Sequence, residues 1–138
     1  MSPQTLTLEL TESLLLDIEA VTITLGRLRG LGVRIAIDDF GTGFSSLGYL
    51  KHFPLDALKI DQLFIRNLAT DADDSAIADA IITLARSLKL QVVAEGVETE
   101  GQLGLMREEG CDAAQGELFS EPIPDDAFEK LLRDWLPS

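Results

Sequence analysis

Residues Val33–Ser46 read VRIAIDDFGTGFSS. An apolar, β-branched run ends in Asp38 and Asp39 and is followed at once by Gly41 and Gly43. Such a stretch predicts a strand over Val33–Asp38 that carries acids to its C-terminal end and then breaks into a glycine-rich loop. Neighbouring residues on a strand point to opposite faces. Both aspartates can therefore reach one site only if the chain turns where the glycines allow it.

Working outward from this segment, four further short stretches read as strands, each leading into a helix or loop. Thr5–Thr11 (TLTLELT) alternates strictly, with Leu6, Leu8 and Leu10 on one face and Thr5, Thr7, Glu9 and Thr11 on the other. Ala57–Asp61, Gln91–Glu95 and Asp112–Leu118 complete the set. Between them the spacing predicts helices over Asp17–Arg29 (stripe Ile18, Val21, Leu25, Leu28, ended by Gly30 and Gly32) and Ser46–His52, stopped before Pro54. A loop rich in Asp follows the third strand. Further helices are predicted over Asp74–Lys89 (Ile77, Ile81, Leu84, Leu88), from a Thr99/Gln102 capping box to Glu109, and over Asp125–Leu136. Alternating strands and helices imply parallel strands with helical crossovers, either an open doubly wound sheet or a (β/α) barrel.

The polar residues favour the barrel. On one face, read with period two, the strands carry Thr7 and Glu9, Ala36 and Asp38, Ala57 and Lys59, Val93 and Glu95, and Ala113 and Gln115. In each, a small or β-branched residue precedes a polar one near the strand's C-terminal end. Small interior side chains with functional groups converging at the C-terminal mouth are the arrangement of a TIM-like barrel. Any one such acid could simply cap the next helix. Three acids and a lysine in register would be costly if buried unpaired, and divalent ions resolve that cost. An all-oxygen donor set favours Mg²⁺, Mn²⁺ or Ca²⁺ over zinc. With two metals, Asp38 could bridge them, and the ions would let so acidic a site accept a phosphate.

Composition narrows the function classes. The 138 residues are 46% hydrophobic and 25% charged, as in an ordinary globular domain. The net charge of −13 argues against DNA, RNA or an anionic membrane surface as partner. No apolar run approaches the roughly 18 residues of a membrane span, and no signal peptide is recognisable. One His and one Cys, His52 and Cys111, make a zinc centre or a Cys–His nucleophile an unattractive reading. An unpaired Cys111 is consistent with a reduced, cytoplasmic setting.

Five ordered motifs carry a resemblance: ELTE at Glu9–Glu12, DDFGTGFSSL at Asp38–Leu47, LKID at Leu58–Asp61, VAEGVE at Val93–Glu98, and GCD at Gly110–Asp112 with Gln115–Gly116. In order and spacing the chain resembles the EAL domain family of bacterial cyclic di-GMP phosphodiesterases over nearly its whole length. The resemblance implies a TIM-like (β/α) barrel of which this chain supplies about the last five β/α units. The whole of 1–138 is then the C-terminal part of one such domain. It implies hydrolysis of one phosphodiester of cyclic di-GMP to the linear dinucleotide, with Mg²⁺ or Mn²⁺ and two ions in the complete site. Carried over by position, Glu9, Asp38 and Asp39 are metal ligands. Lys59 orients the attacking water and contacts phosphate, and Glu95 is a general base or metal-linked acid. Glu12, Glu98, Gln115, Gly41, Thr42 and Gly43 support the loop and substrate, and the loop Phe40–Leu50 couples metal binding, substrate binding and dimerisation. Glu117 and Glu121 depart from the family, which has an aromatic and often a basic residue there. A complete barrel needs about 250 residues, and the family's Glu-Ala-Leu segment and its Asn ligand do not occur in this sequence. The expectation is therefore that the site is completed by an N-terminal half or a second copy, as a homodimer. The alternative is a catalytically inactive module that binds cyclic di-GMP or a protein. Another metal-dependent TIM-type enzyme is the weakest competitor.

Overall fold

The computed structural model describes residues 2–12, 17–42 and 47–135. Five parallel strands form one sheet in the order of the chain, β1-β2-β3-β4-β5: β1 Thr7–Thr11, β2 Arg34–Phe40, β3 Ala57–Ile60, β4 Gln91–Ala94 and β5 Ala113–Ala114. The helices are α1 Ile18–Gly30, α2 Leu47–His52, α3 Gln62–Arg66, α4 Ala72–Ser87, α5 Glu100–Glu109 and α6 Asp125–Trp135, and a 3-10 turn spans Pro3–Thr5. A doubly wound sheet reverses its strand order at a switch point. Here five consecutive β/α units add on in one direction, so the fold is part of a TIM-like barrel.

One sheet face carries Leu10, Ile35, Ile37, Leu58, Ile60, Val92 and Ala94 under the helices. With Leu25, Ile65, Ala78, Ile81, Ile82, Ala85 and Met106 from the helices they form the core. The helix starts are fixed by side chains. Asp17, Asp61 and Asp71 accept from backbone N–H groups of α1, α3 and α4, and the Thr99/Gln102 capping box opens α5 as expected.

Several boundaries differ from the sequence reading. The first strand begins at Thr7, because Pro3–Thr5 form the 3-10 turn. Where a loop is expected after β3 the chain forms α3; Asp61 follows Ile60 and caps this five-residue helix, too short to show a period. α4 begins at Ala72, and its buried stripe is Ala78, Ile81, Ile82 and Ala85, leaving Ile77 and Leu88 exposed. The fifth strand is two residues, not seven. After Ala114 the chain leaves the ladder to bond the loop after β4 instead, with Val97 donating to the Gln115 carbonyl and Leu118 donating to the Val97 carbonyl. Gly116 permits this, since a Cβ there would lie 2.2 Å from the Val97 carbonyl oxygen. Ser46 and Leu136, expected helix ends, lie outside the described residues.

Candidate metal and catalytic site

The site follows from strand register. Glu9 pairs with Ala36 and Lys59 with Val93, so Glu9, Asp38, Lys59 and Glu95 all project from the face opposite the core, at the C-terminal ends of β1 to β4. Lys59 is the centre. It is 3% exposed, and its Nζ donates to Glu9 Oε1 at 2.7 Å and lies 3.0 Å from Glu95 Oε1. Burial works against its charge, but the hydrogen bonds and charges of Glu9 and Glu95 outweigh it, and the lysine pKa stands above its ordinary value.

Between Ile37 and Phe40 the pairing with β3 shifts register. Asp39 sits inside that irregularity in the left-handed region, at φ 53°, with its N–H donating to Asp38 Oδ1. This bend lets two adjacent aspartates serve one region. Gly41 (φ 96°) and Thr42 continue it, the Thr42 hydroxyl and N–H both donating to the Asp39 carbonyl. A side chain at Gly41 would also press on Phe64, 3.1 Å away.

Two groups of carboxylates result. One oxygen each from Glu9, Asp38 and Glu95 lie within 4.8 Å of one another, and so do those of Asp39, Asp61 and Glu95. Glu95 belongs to both. The crowding shows in their acidity. Burial, then a hydrogen bond and the charge of Asp38, push Glu95 up to about 7 against the opposing pull of Lys59. A hydrogen bond with Asp61, burial and the charge of Asp38 push Asp39 up to about 6. Both groups hold their protons more tightly than a free carboxylate, Glu95 chiefly through burial and Asp39 chiefly through its hydrogen bond with Asp61, and a cation placed there would favour the ionised forms.

The other expected residues scatter around this cluster. Glu12 accepts from the Tyr49 hydroxyl at 3.1 Å. Glu98 and Gln115 are exposed; the Glu98 N–H donates to Gln102, and the Gln115 N–H donates to the Ala94 carbonyl. Gly43, and part of the loop Phe40–Leu50, lie outside the described residues. Glu117 and Glu121 line an apolar groove of about 830 Å³ between β5 and α6, with Phe119, Phe128 and Trp135. Asp61 was missed as a site residue. The signal was present, since it follows Lys59 by two, the same alternation that placed the other acids.

Gly96 couples the two carboxylate-bearing segments. It has φ 70°, and a Cβ there would lie 2.5 Å from Gln62 Cβ, next to Asp61. We expect Gly96→Ala to cost about 1–3 kcal/mol through strain and displacement of Gln62. Gly104→Ala, at an open position in α5, should stabilise by about 0.5–1 kcal/mol. Urea denaturation of both variants checks this; equal midpoints for the two would contradict it.

A sequential parallel sheet with a lysine-centred carboxylate cluster at its C-terminal strand ends defines a partial (β/α) barrel with its polar site at the mouth. The chain belongs to the EAL domain family, whose profile matches residues 1–122. It is 53% identical over 129 residues to the cyclic di-GMP phosphodiesterase NbdA of Pseudomonas aeruginosa, covering 93% of this chain and 16% of that protein. The structure superposes on the PaMucR phosphodiesterase–c-di-GMP complex with TM-score 0.87 and 49% identity, over 93% of this chain and 52% of that one. The manganese/cyclic di-GMP complex of Klebsiella pneumoniae BlrP1 at pH 9.0 gives TM-score 0.80 and 33% identity, over 88% and 31% of the respective chains. The chain thus spans about half, or less, of the length of these relatives. Among the described residues no helix is long and apolar enough to cross a membrane.

Proposed function

We propose that residues 1–138 are the C-terminal part of one EAL-type barrel domain and carry the metal- and lysine-bearing portion of a cyclic di-GMP phosphodiesterase site. The observation that supports it is the convergence of Glu9 and Glu95 on one buried lysine, with Asp38 beside those two carboxylates and Asp39 and Asp61 grouped with Glu95. These are hard oxygen donors close enough to share an ion, and the raised pKa values of Asp39 and Glu95 mark a place where a cation would favour the ionised forms, so the residues suit Mg²⁺ or Mn²⁺. Glu9, Asp38 and Glu95 would hold one ion and Asp39, Asp61 and Glu95 a second. Such ions supply charge neutralisation and a water activated at neutral pH.

The chain's own groups do the rest. Lys59, fixed from two sides, presents a permanent positive charge to a non-bridging phosphate oxygen and orients the incoming water. Glu95, hydrogen-bonded to Lys59, accepts a proton from that water where it is not taken up as a ligand of the ions. Glu12, Gly41, Thr42, Gly43, Glu98 and Gln115 support the loop and the dinucleotide. β1 and β5 are open sheet edges, and the groove beside α6 is apolar. A remaining barrel half or a second copy completes the enclosure, and the working form is a homodimer in the cytoplasm.

The test is incubation with cyclic di-GMP and Mg²⁺ or Mn²⁺, alone and with the remaining barrel half of an EAL domain, following the linear dinucleotide. Turnover is expected with the barrel completed, and none with Glu95→Ala. Tight cyclic di-GMP binding without product in every assembly would select the inactive binding module.

A further inference from the structure

We infer that Asp56 is a positioning residue for Lys59: it pins the level of β3 in the sheet and so seats the lysine between Glu9 and Glu95. Asp56 directly precedes β3. Its N–H donates to the Ile35 carbonyl at 2.8 Å, and its Oδ2 accepts the Ile35 N–H at 2.8 Å, so it grips the second residue of β2 by both backbone groups. On the other side its carbonyl accepts the N–H of Gln91, the first residue of β4, at 3.0 Å. One residue thus ties β3 to both neighbours before the first ladder pair. Its Oδ1 also lies 3.4 Å from Arg29 of α1, whose side chain is half exposed, so that pair adds little.

Strand alternation decides only which side Lys59 faces, since a one-residue slip would turn it into the core. Meeting two carboxylates at 2.7 and 3.0 Å needs a finer setting. β2 gives little help at that level. It pairs regularly with β3 only at Ala57 and Leu58, and the register then slips between Ile37 and Phe40, beside Lys59. β3 is four residues long, so its level against β2 is set at its start, where Asp56 holds it. The same device recurs before β5. The Asp112 N–H donates to the Val92 carbonyl at 3.0 Å, and Asp112 Oδ2 accepts the Val92 N–H at 2.8 Å. Each aspartate is followed by an alanine that opens the strand. β5 bears no lysine and no member of the two carboxylate groups, so Asp112 makes the same bonds at a strand outside the cluster.

The part of Lys59 in the proposed reaction rests on the reading above, so the test has two arms, and the first needs neither metal nor substrate. In it, the proton exchange rate of the Lys59 ammonium is read from its nitrogen-15 resonance in the full chain at fixed pH. Asp56→Ala should speed this exchange several-fold. Asp56→Asn, which keeps an acceptor oxygen for the Ile35 N–H, should stay near the parent, and so should Asp112→Ala. A parent-like rate in Asp56→Ala would overturn the inference, and so would an equal acceleration in Asp112→Ala, which would mark a general loosening of the sheet. If Asp56→Ala does not fold, Asp56→Glu, which moves the acceptor by one methylene, is held to the same outcomes. In the second arm, Mn²⁺ binding is followed by electron paramagnetic resonance. Groups that orient metal ligands from outside change affinity by about 10–100-fold when removed. Asp56 stands one step further out, so Asp56→Ala should weaken binding about 3–10-fold, with Asp112→Ala unchanged. Parent-like affinity in Asp56→Ala would overturn its role at the site. If the parent chain itself does not bind Mn²⁺, the cation reading falls, and the first arm alone decides the role of Asp56.

Discussion

Replacing Lys59 by Met should be among the most damaging single changes in this chain, and divalent cations should partly repair it. Methionine matches the stem of lysine, so little packing is lost and the charge is removed. The carboxylates of Glu9, Asp38 and Glu95 would then face one another with no cation among the described residues to compensate them. Breaking a buried pair by removing one partner costs about 3–5 kcal/mol. Glu9 is 43% exposed and keeps part of its hydration, so the expected loss is at the lower end, about 2–3 kcal/mol. Urea unfolding in EDTA at pH 8 should show it, and millimolar Mn²⁺ should recover a substantial part, because an ion takes over the neutralisation. A variant as stable as the parent in EDTA would mean that Lys59 is not the counter-charge of the cluster.

The second large effect is on pH. Glu95 stands at about 7 and Asp39 at about 6, both above the ordinary carboxylate values of 4.5 and 3.8. In this range the native state binds more protons than the unfolded chain, so stability falls as pH rises. The penalty is absent below about pH 4, grows between pH 4 and 7, and is complete above 7. For Glu95, whose side chain is 17% exposed, the displacement corresponds to about 3 kcal/mol at full ionisation, an upper figure because Asp38, Asp39 and Asp61 titrate together with it. The cation-free chain should therefore be less stable at pH 8 than at pH 5, the reverse of a protein held by salt-bridged carboxylates. Added Mg²⁺ or Mn²⁺ should raise stability at pH 8 far more than at pH 5. Lysine 59 pulls Glu95 down, so the fall should be steeper in Lys59→Met. A flat or rising profile in EDTA would contradict the crowding of these acids.

Cation affinity should change over the same pH range in the opposite direction, rising with pH, since the ligands must lose their protons before an ion can be held. The two experiments therefore report on one property, the surplus of negative charge that Lys59 alone does not balance.

Much of this was legible from local pattern. Period-two alternation places Glu9, Asp38, Lys59 and Glu95 on one side of their strands, because strand side chains alternate whatever the neighbours do. The Thr99/Gln102 cap and the stop before Pro54 are equally local, and the spacing of five motifs was enough to identify the family. Other features depend on contacts distant in sequence. The slip in pairing between Ile37 and Phe40, with Asp39 left-handed inside it, arises between two strands and has no one-strand signature. Asp61 entering the cluster, β5 yielding to the Val97 bonds, and the Tyr49–Glu12 link are of the same kind. Which strand residues share the site's face, Glu9, Asp38, Lys59 and Glu95, was readable from a repeat along one chain. Only the tertiary structure decided which of them touch, which acid is shared by both groups, and how far each acidity is displaced. Those quantities are set by distances between strands and by burial, and neither exists until the sheet has formed.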